Sequence, residues 1–356
     1  MFRRREGFAA KLTWLVLRLA LWGSWAFGLF PFTFDPQARQ LRRHSWFLAY
    51  GVAINSLLMC LVVVSSFYSA ETVQNLEIFK RNQLLEWIDV LIGILALIAS
   101  CGTHFITFWK NGQVLRILNE LLVLEHRHFW CLDVQDASKF NFYVIQKGMC
   151  VVGAVLSVLV VSFGVPELYT SSLFLVILCL MEFCVHLVVM HFLLAILCIY
   201  RYVWLINRQL LAVVSRLRVD PRSDTSRIRL LLSLYGRLLA LSNELEATFE
   251  GQITLILASG LAGNIVIIYF LIVYTVSLGQ LSMPLIIFPF SLAMNVWDYW
   301  LSISVCDLTE RTGRRTSTIL KLFSDLEHTD VHLERSMIVA TFTYLLCLVQ
   351  FDFMNL

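Results

Sequence analysis

Apolar residues gather in eight stretches along the chain, at 12–30, 46–66, 85–109, 149–165, 172–203, 253–278, 284–305 and 337–351, separated by polar and mostly basic segments. Most reach about 20 residues, the length an α-helix needs to cross roughly 30 Å of hydrocarbon. In lipid every backbone hydrogen bond must close within a helix or a sealed barrel, and none of the stretches alternates with the period of two that a barrel requires. The pattern predicts an all-α integral membrane protein. Composition agrees: with 58% hydrophobic and 15% charged residues among 356, the chain has too little polar surface to cover a soluble globule of its size.

Charge sets the expected orientation, because Lys and Arg in short loops resist translocation. Basic residues cluster at 1–11, 39–43, 110–147, 201–237 and 311–335, whereas the segment 67–84 holds only Lys80 and Arg81, and 166–171 and 279–283 hold none. Both flanks of the first stretch are basic and Arg18 interrupts it, so it reads as a re-entrant or interfacial helix. Seven crossings remain, with a cytosolic amino terminus and an extracellular carboxyl tail, and 25 of the 28 basic residues then fall on or at the edge of the cytosolic side. The expected organisation is a cytosolic amino-terminal region at 1–45, transmembrane helices 1–4 within 46–206, a cytosolic amphipathic segment at 207–250, helices 5–6 within 251–306, a cytosolic connector at 307–336, and a last helix with its tail at 337–356. Within the amphipathic segment Ile228, Leu231, Tyr235, Leu238, Leu245 and Phe249 recur at helical spacing and run into the apolar stretch that follows.

Eight of the nine cysteines fall within or at the ends of apolar stretches, where a thiol behaves as a small hydrophobe. Only Cys131 sits in a polar loop. No Gly-rich phosphate loop, His-Glu-x-x-His, Gly-x-Ser-x-Gly or zinc-spaced Cys pair occurs. The expectation is therefore no enzyme, no catalytic residue, no metal site, no cofactor and no nucleic-acid partner.

Three groups of residues remain as candidates. Glu182 and His186 are four apart on one face of an apolar helix that also carries His191, and ionisable groups at membrane depth face a protein interior or a water-filled cavity. Asp298 lies in Asn295-Val296-Trp297-Asp298-Tyr299-Trp300, where Trp297 and Trp300 either line a pocket with it or pack against neighbouring helices. Glu182, His186, Trp297, Asp298 and Trp300 are the ligand-pocket candidates. Near the exit of the last helix stand Gln350 and Phe351. Around a shared axis, apolar rings would dewet a conduit and a Gln ring would offer amide oxygens to a cation; alone, Gln350 would only cap the helix at the interface.

The nonapeptide Thr343-Tyr344-Leu345-Leu346-Cys347-Leu348-Val349-Gln350-Phe351 resembles the carboxyl-terminal signature of insect gustatory receptors. The opening Ser24-Trp25, continued by Gly28-Leu29-Phe30-Pro31-Phe32-Thr33-Phe34-Asp35, resembles a fruit-fly subgroup of that family, and Arg201-Tyr202-Val203-Trp204 and Cys306-Asp307-Leu308 extend the likeness over nearly the whole chain. The resemblance implies a taste receptor in the plasma membrane of a sensory neuron: a cation channel of four subunits, homomeric or formed with related receptors, gated by a small-molecule tastant. It places Gln350, Phe351 and Tyr344 at the pore gate. One departure stands out. Similar receptors carry about 30 further residues before the last helix, where here Leu333-Glu334-Arg335-Ser336 runs directly into Met337; the span from Met337 rises only about 22 Å, short of the hydrocarbon thickness. A non-conducting or non-functional shortened subunit, and a metabotropic seven-helix receptor, are the rival expectations.

Overall fold

The computed structural model describes residues 7–74, 83–129, 138–164, 172–217, 225–278 and 284–324. Among them stand eight helices and one hairpin: α1 (Phe8–Ala26), β1 (Phe32–Asp35), β2 (Gln40–Arg43), α2 (Ser45–Gln74), α3 (Gln83–Trp109), α4 (Asn111–Leu124) ending in a π-helical turn (Glu125–Phe129), α5 (Ser138–Gly164), α6 (Ser172–Leu217), α7 (Thr225–Leu278) and α8 (Pro284–Ser324). Among the described residues regular structure is helical apart from the hairpin, which the apolar pattern does not announce.

Five of these helices contain a stretch long and apolar enough to cross a membrane, judged by length and composition: Ser45–Val64, Val90–Trp109, Lys139–Val160, Leu175–Leu217 and Ser226–Val273. The 284–305 stretch belongs to α8, whose apolar run is broken by Ser291, Asn295 and Asp298. The expected last crossing, 337–351, lies outside the described residues.

α6 is the centre of the bundle. It runs unbroken for 46 residues, a rise of about 69 Å, and contacts α1, α2, α5, α7 and α8. Leu187, Leu193, Leu197, Ile206, Leu210 and Val213 along it are at most 2% exposed. α7 is longer still, at 54 residues. Its first half buries Ile228, Leu231, Tyr235, Leu238, Leu245 and Phe249, so the three- and four-residue spacing does mark the face turned to the core. Its second half packs on α3 and α8.

The segment after α1 folds back as a hairpin. Gly28 takes φ 64, a left-handed conformation that glycine adopts without Cβ strain, and its backbone lies against that of Gly51 in α2, where a Cβ on either residue would collide. Asn55 of α2 donates to the Phe27 carbonyl at 2.7 Å. β1 and β2 pair antiparallel with Phe32 opposite Arg43 and Asp35 opposite Gln40. At the turn Asp35 accepts the Gln37 and Ala38 N–H groups at 2.9 and 3.1 Å and pairs with Arg42 at 3.1 Å. Those backbone donors, with Arg42 adding a smaller pull, hold its carboxyl below the usual range. The hairpin docks on α4 through Asn119, whose carboxamide accepts the Leu41 N–H at 2.7 Å and donates to the Leu41 carbonyl at 3.0 Å.

α4 is fixed to α7 by the ion pairs Arg116–Glu244 and Arg237–Glu120. Its π-helical turn meets α6: Arg201 reaches Glu125 at 3.4 Å, and the Tyr202 ring stacks on Phe129 with centroids 4.7 Å apart. The Arg201-Tyr202 pair thus holds the end of α4.

Candidate functional site

Deep in the bundle, α5, α6 and α8 bring four ionisable side chains together. Lys147 of α5 places Nζ 2.6 Å from Asp298 Oδ1 of α8. On α6, one helical turn sets His186 Nε2 3.1 Å from Glu182 Oε1, while His186 Nδ1 stands 3.7 Å from Asp298 Oδ2. The His186 ring therefore lies between two carboxylates. Lys147, Asp298 and His186 side chains are 3%, 13% and 12% exposed, whereas Glu182 is 42% exposed. An unpaired charge in such surroundings would be expensive, and the chain of contacts from Lys147 through Asp298 and His186 to Glu182 gives each group an oppositely charged or hydrogen-bonding neighbour. Glu182, at the open end, is the member best placed to meet a polar ligand.

Sequence spacing identifies three members, Glu182, His186 and Asp298. It misses Lys147, which at the edge of the basic 110–147 segment reads as a loop residue but is 2% exposed. The available signal was Asp298 itself, because a carboxylate in an apolar helix demands a counter-charge.

α8 is keyed to its neighbours around this cluster. Its Met294 packs on Gly153 of α5 and its Tyr299 hydroxyl on Gly260 of α7, each filling the space a Cβ would need. Asn295 donates to Asn264 Oδ1 of α7 at 2.9 Å. Asn295, Asp298 and Tyr299 are thus turned into the bundle. The two tryptophans are not: Trp297 and Trp300 are 41% and 55% exposed, and at about 100° per residue Trp300 lies nearly opposite Asp298. They stand on the outer surface of the bundle, so the aromatic residues do not join the charged cluster.

His191 also leaves the group it shares a helix with. Its Nε2 lies 2.7 Å from the Ser24 hydroxyl of α1, and Phe30 packs beside its ring at 6.0 Å. Phe27 meets Phe183 edge-on at 5.8 Å, and Gly23 leaves room for Phe183 and Leu187. The Ser24 to Asp35 segment is therefore a docking element for α6 that continues into the hairpin. No three His, Cys, Asp or Glu residues among those described are arranged to hold a metal ion. Gln350, Phe351 and Tyr344 fall outside the described residues.

Comparison with known proteins adds the following. A family model described as 7tm chemosensory receptor matches residues 17–338. A Drosophila melanogaster protein named as a candidate gustatory receptor, 22b, is 43% identical, with 96% of each chain covered. Another Drosophila melanogaster protein, named gustatory receptor for bitter taste 22e, is 38% identical with 100% of each chain covered. Its alignment runs over 390 positions against the 356 residues of this chain, an excess of 34, and that with the candidate gustatory receptor 22d over 388, an excess of 32.

Proposed function

The chain belongs to the insect gustatory receptor family, and from that membership we propose that it is a taste receptor acting as a ligand-gated, non-selective cation channel for contact chemicals. Its relatives are chemosensory receptors rather than enzymes. The observation that carries the reading is likeness over the full length of both chains to a relative named for bitter taste, which makes a bitter compound the first stimulus to try.

In this reading four subunits, of one kind or mixed with related receptors, assemble in the plasma membrane of a sensory neuron. The amino terminus is cytosolic, as the basic segments favour, and the last helices surround a common axis with Gln350 and Phe351 at the gate. A tastant enters the helix bundle from the extracellular side and shifts the closed and open populations by its difference in affinity for the two states. Glu182, at the open end of the charged cluster, supplies the polar contact, and Asp298 carries the change along α8 through its ion pair with Lys147 and its 3.7 Å approach to His186. A second reading, a non-conducting subunit, is supported by the alignment excess of 32 to 34 positions, close in size to the roughly 30 residues by which the connector before Met337 is expected to be shortened.

Recording from cells that express the chain together with related subunits tests both. Inward current evoked by a bitter panel, and absent when the partner subunits are expressed alone, is the expected result. A surface-accessible amino-terminal tag in unpermeabilised cells would instead revive the metabotropic alternative, since such receptors have that terminus outside.

A further inference from the structure

The charged cluster holds one more carboxylate than it has fixed positive charges. Lys147 of α5 neutralises Asp298 of α8 at 2.6 Å. Among the described residues, the group within ion-pair distance of the other carboxylate, Glu182, is the His186 ring at 3.1 Å, which is charged only when protonated. With that ring neutral, one ammonium faces two carboxylates, and a net negative charge is left at membrane depth, where it is costly. Two events can offset it: a proton on His186, or a cation arriving at Glu182.

The geometry lets one replace the other. His186 turns Nε2 to Glu182 and Nδ1 toward Asp298 at 3.7 Å, and Nδ1 is buried with no hydrogen bond among the described residues. A protonated ring thus stands between both carboxylates. The Cys150 thiol and the Tyr299 hydroxyl also lie near Asp298 and bring no positive charge. Glu182 is the open member, 42% exposed against 12% for His186, so a ligand reaches the carboxylate rather than the ring. About one turn to either side on α6 stand Leu178, Cys179 and Val185, all half-buried. Segments 165–171 and 279–283, which join α5 to α6 and α7 to α8, contain no Lys or Arg. A carboxylate set in an apolar surface suits a cation with an apolar body. Resting on the reading of Glu182 as the tastant's polar contact, we propose that Glu182 binds the ammonium group of an amphiphilic organic amine, and that this cation displaces the proton on His186 to solvent.

The test measures binding to the full-length receptor in nanodiscs, by thermal unfolding and titration calorimetry, with two matched series: phenylbutylamine, phenylbutanol and phenylbutyrate, and octylamine, octanol and octanoate. At neutral pH both amines are expected to bind, the alcohols roughly 10- to 100-fold more weakly for want of a charge-assisted bond, and the acids more weakly still. Glu182→Gln should lower each amine to the level of its alcohol. Partitioning into the bilayer is common to wild type and variant and drops out of the comparison. Acidification below neutrality should weaken amine binding by up to about tenfold per pH unit, leave the alcohols unchanged, and have little effect in His186→Gln. If Glu182→Gln does not fold, amine against alcohol in the wild type carries the test. Amines that bind no better than their alcohols, or that bind Glu182→Gln as well as wild type, would overturn the cation class while leaving a receptor for neutral compounds standing. Amine binding that ignores pH would overturn the exchange with His186. Current is not read, so a silent channel does not affect the outcome.

Discussion

Lys147 and Asp298 meet at 2.6 Å between α5 and α8, with their side chains 3% and 13% exposed. The pair joins two helices that the chain separates by 151 residues, and His186 of α6 adds a third helix at 3.7 Å from the same carboxylate. A buried ion pair is costly to assemble and far costlier to break from one side. This asymmetry makes it a fixing device, since any displacement of α8 must either carry Lys147 along or strand a charge.

Removing one partner is accordingly expected to damage the protein more than removing both. Lys147→Met or Asp298→Asn alone should cost about 3–5 kcal/mol, whereas the double substitution should recover a large part of that loss. Thermal unfolding of the four purified proteins in one detergent gives the cycle. A double variant as unstable as the two single losses added together would show that the two residues act independently.

A second expectation concerns the contact of Gly28 with Gly51. Gly28→Ala places a side chain at φ 64 and into the α2 backbone, with a combined cost of about 1–3 kcal/mol. Gly51→Ala meets the Gly28 carbonyl and should behave alike. Gly93→Ala is the control, because nothing lies within 4 Å of the added methyl and alanine favours the helix. If all three variants melt together with the wild type, the close approach of the two backbones is not a constraint on the fold.

The Asp35 turn gives a pH dependence with a definite sign. A carboxyl held below its ordinary range in the folded state adds stability that is complete above the unfolded pKa, and that stability is lost as pH falls through the folded value. Amide exchange at Gln37 and Ala38 should therefore stay slow at neutral and mildly acidic pH, and quicken relative to other amides only below the usual carboxylate range. Asp35→Asn should remove the acid limb. A change centred near neutrality would exclude Asp35 as its source.

Several features were legible in the sequence because the bilayer allows few solutions. Helices at the apolar stretches follow from backbone hydrogen bonding in lipid, and the inward face of the first half of α7 follows from the spacing of Ile228, Leu231, Tyr235 and Leu238. Ser291, Asn295 and Asp298, at spacings of four and three, mark one face of α8, but the setting of Trp297 and Trp300 was not legible, since an aromatic ring suits a pocket, a packed interface or the bundle's outer surface alike. The inward face of α8 is set by Gly153 and Gly260 on other helices. The hairpin was hidden because each strand has four residues, too few for period-two alternation to rise above chance. Its basis is instead the left-handed Gly28, the Asp35 turn and the Asn119 bridge, which are local or long-range contacts rather than periodicities.

The gate proposal rests on Gln350 and Phe351, and each makes a separate claim. If the last helices surround an axis, Phe351 forms an apolar constriction that keeps the closed pore dry. Phe351→Ala should widen and wet it, giving current without ligand. Gln350 then borders the mouth, and Gln350→Glu should leave gating intact while raising preference for divalent cations through a ring of carboxylates. Leu346→Val serves as the nearby apolar control. Because Ser336 runs directly into Met337 where the proposed last helix begins, the series should be recorded in this chain and in a version given a relative's connector at that junction. Higher tetramer yield with the connector is expected on solubilised protein, and the two phenotypes should emerge in whichever background conducts. Unchanged basal current and unchanged selectivity in a conducting background would remove both residues from the pore and leave Gln350 as an interfacial cap.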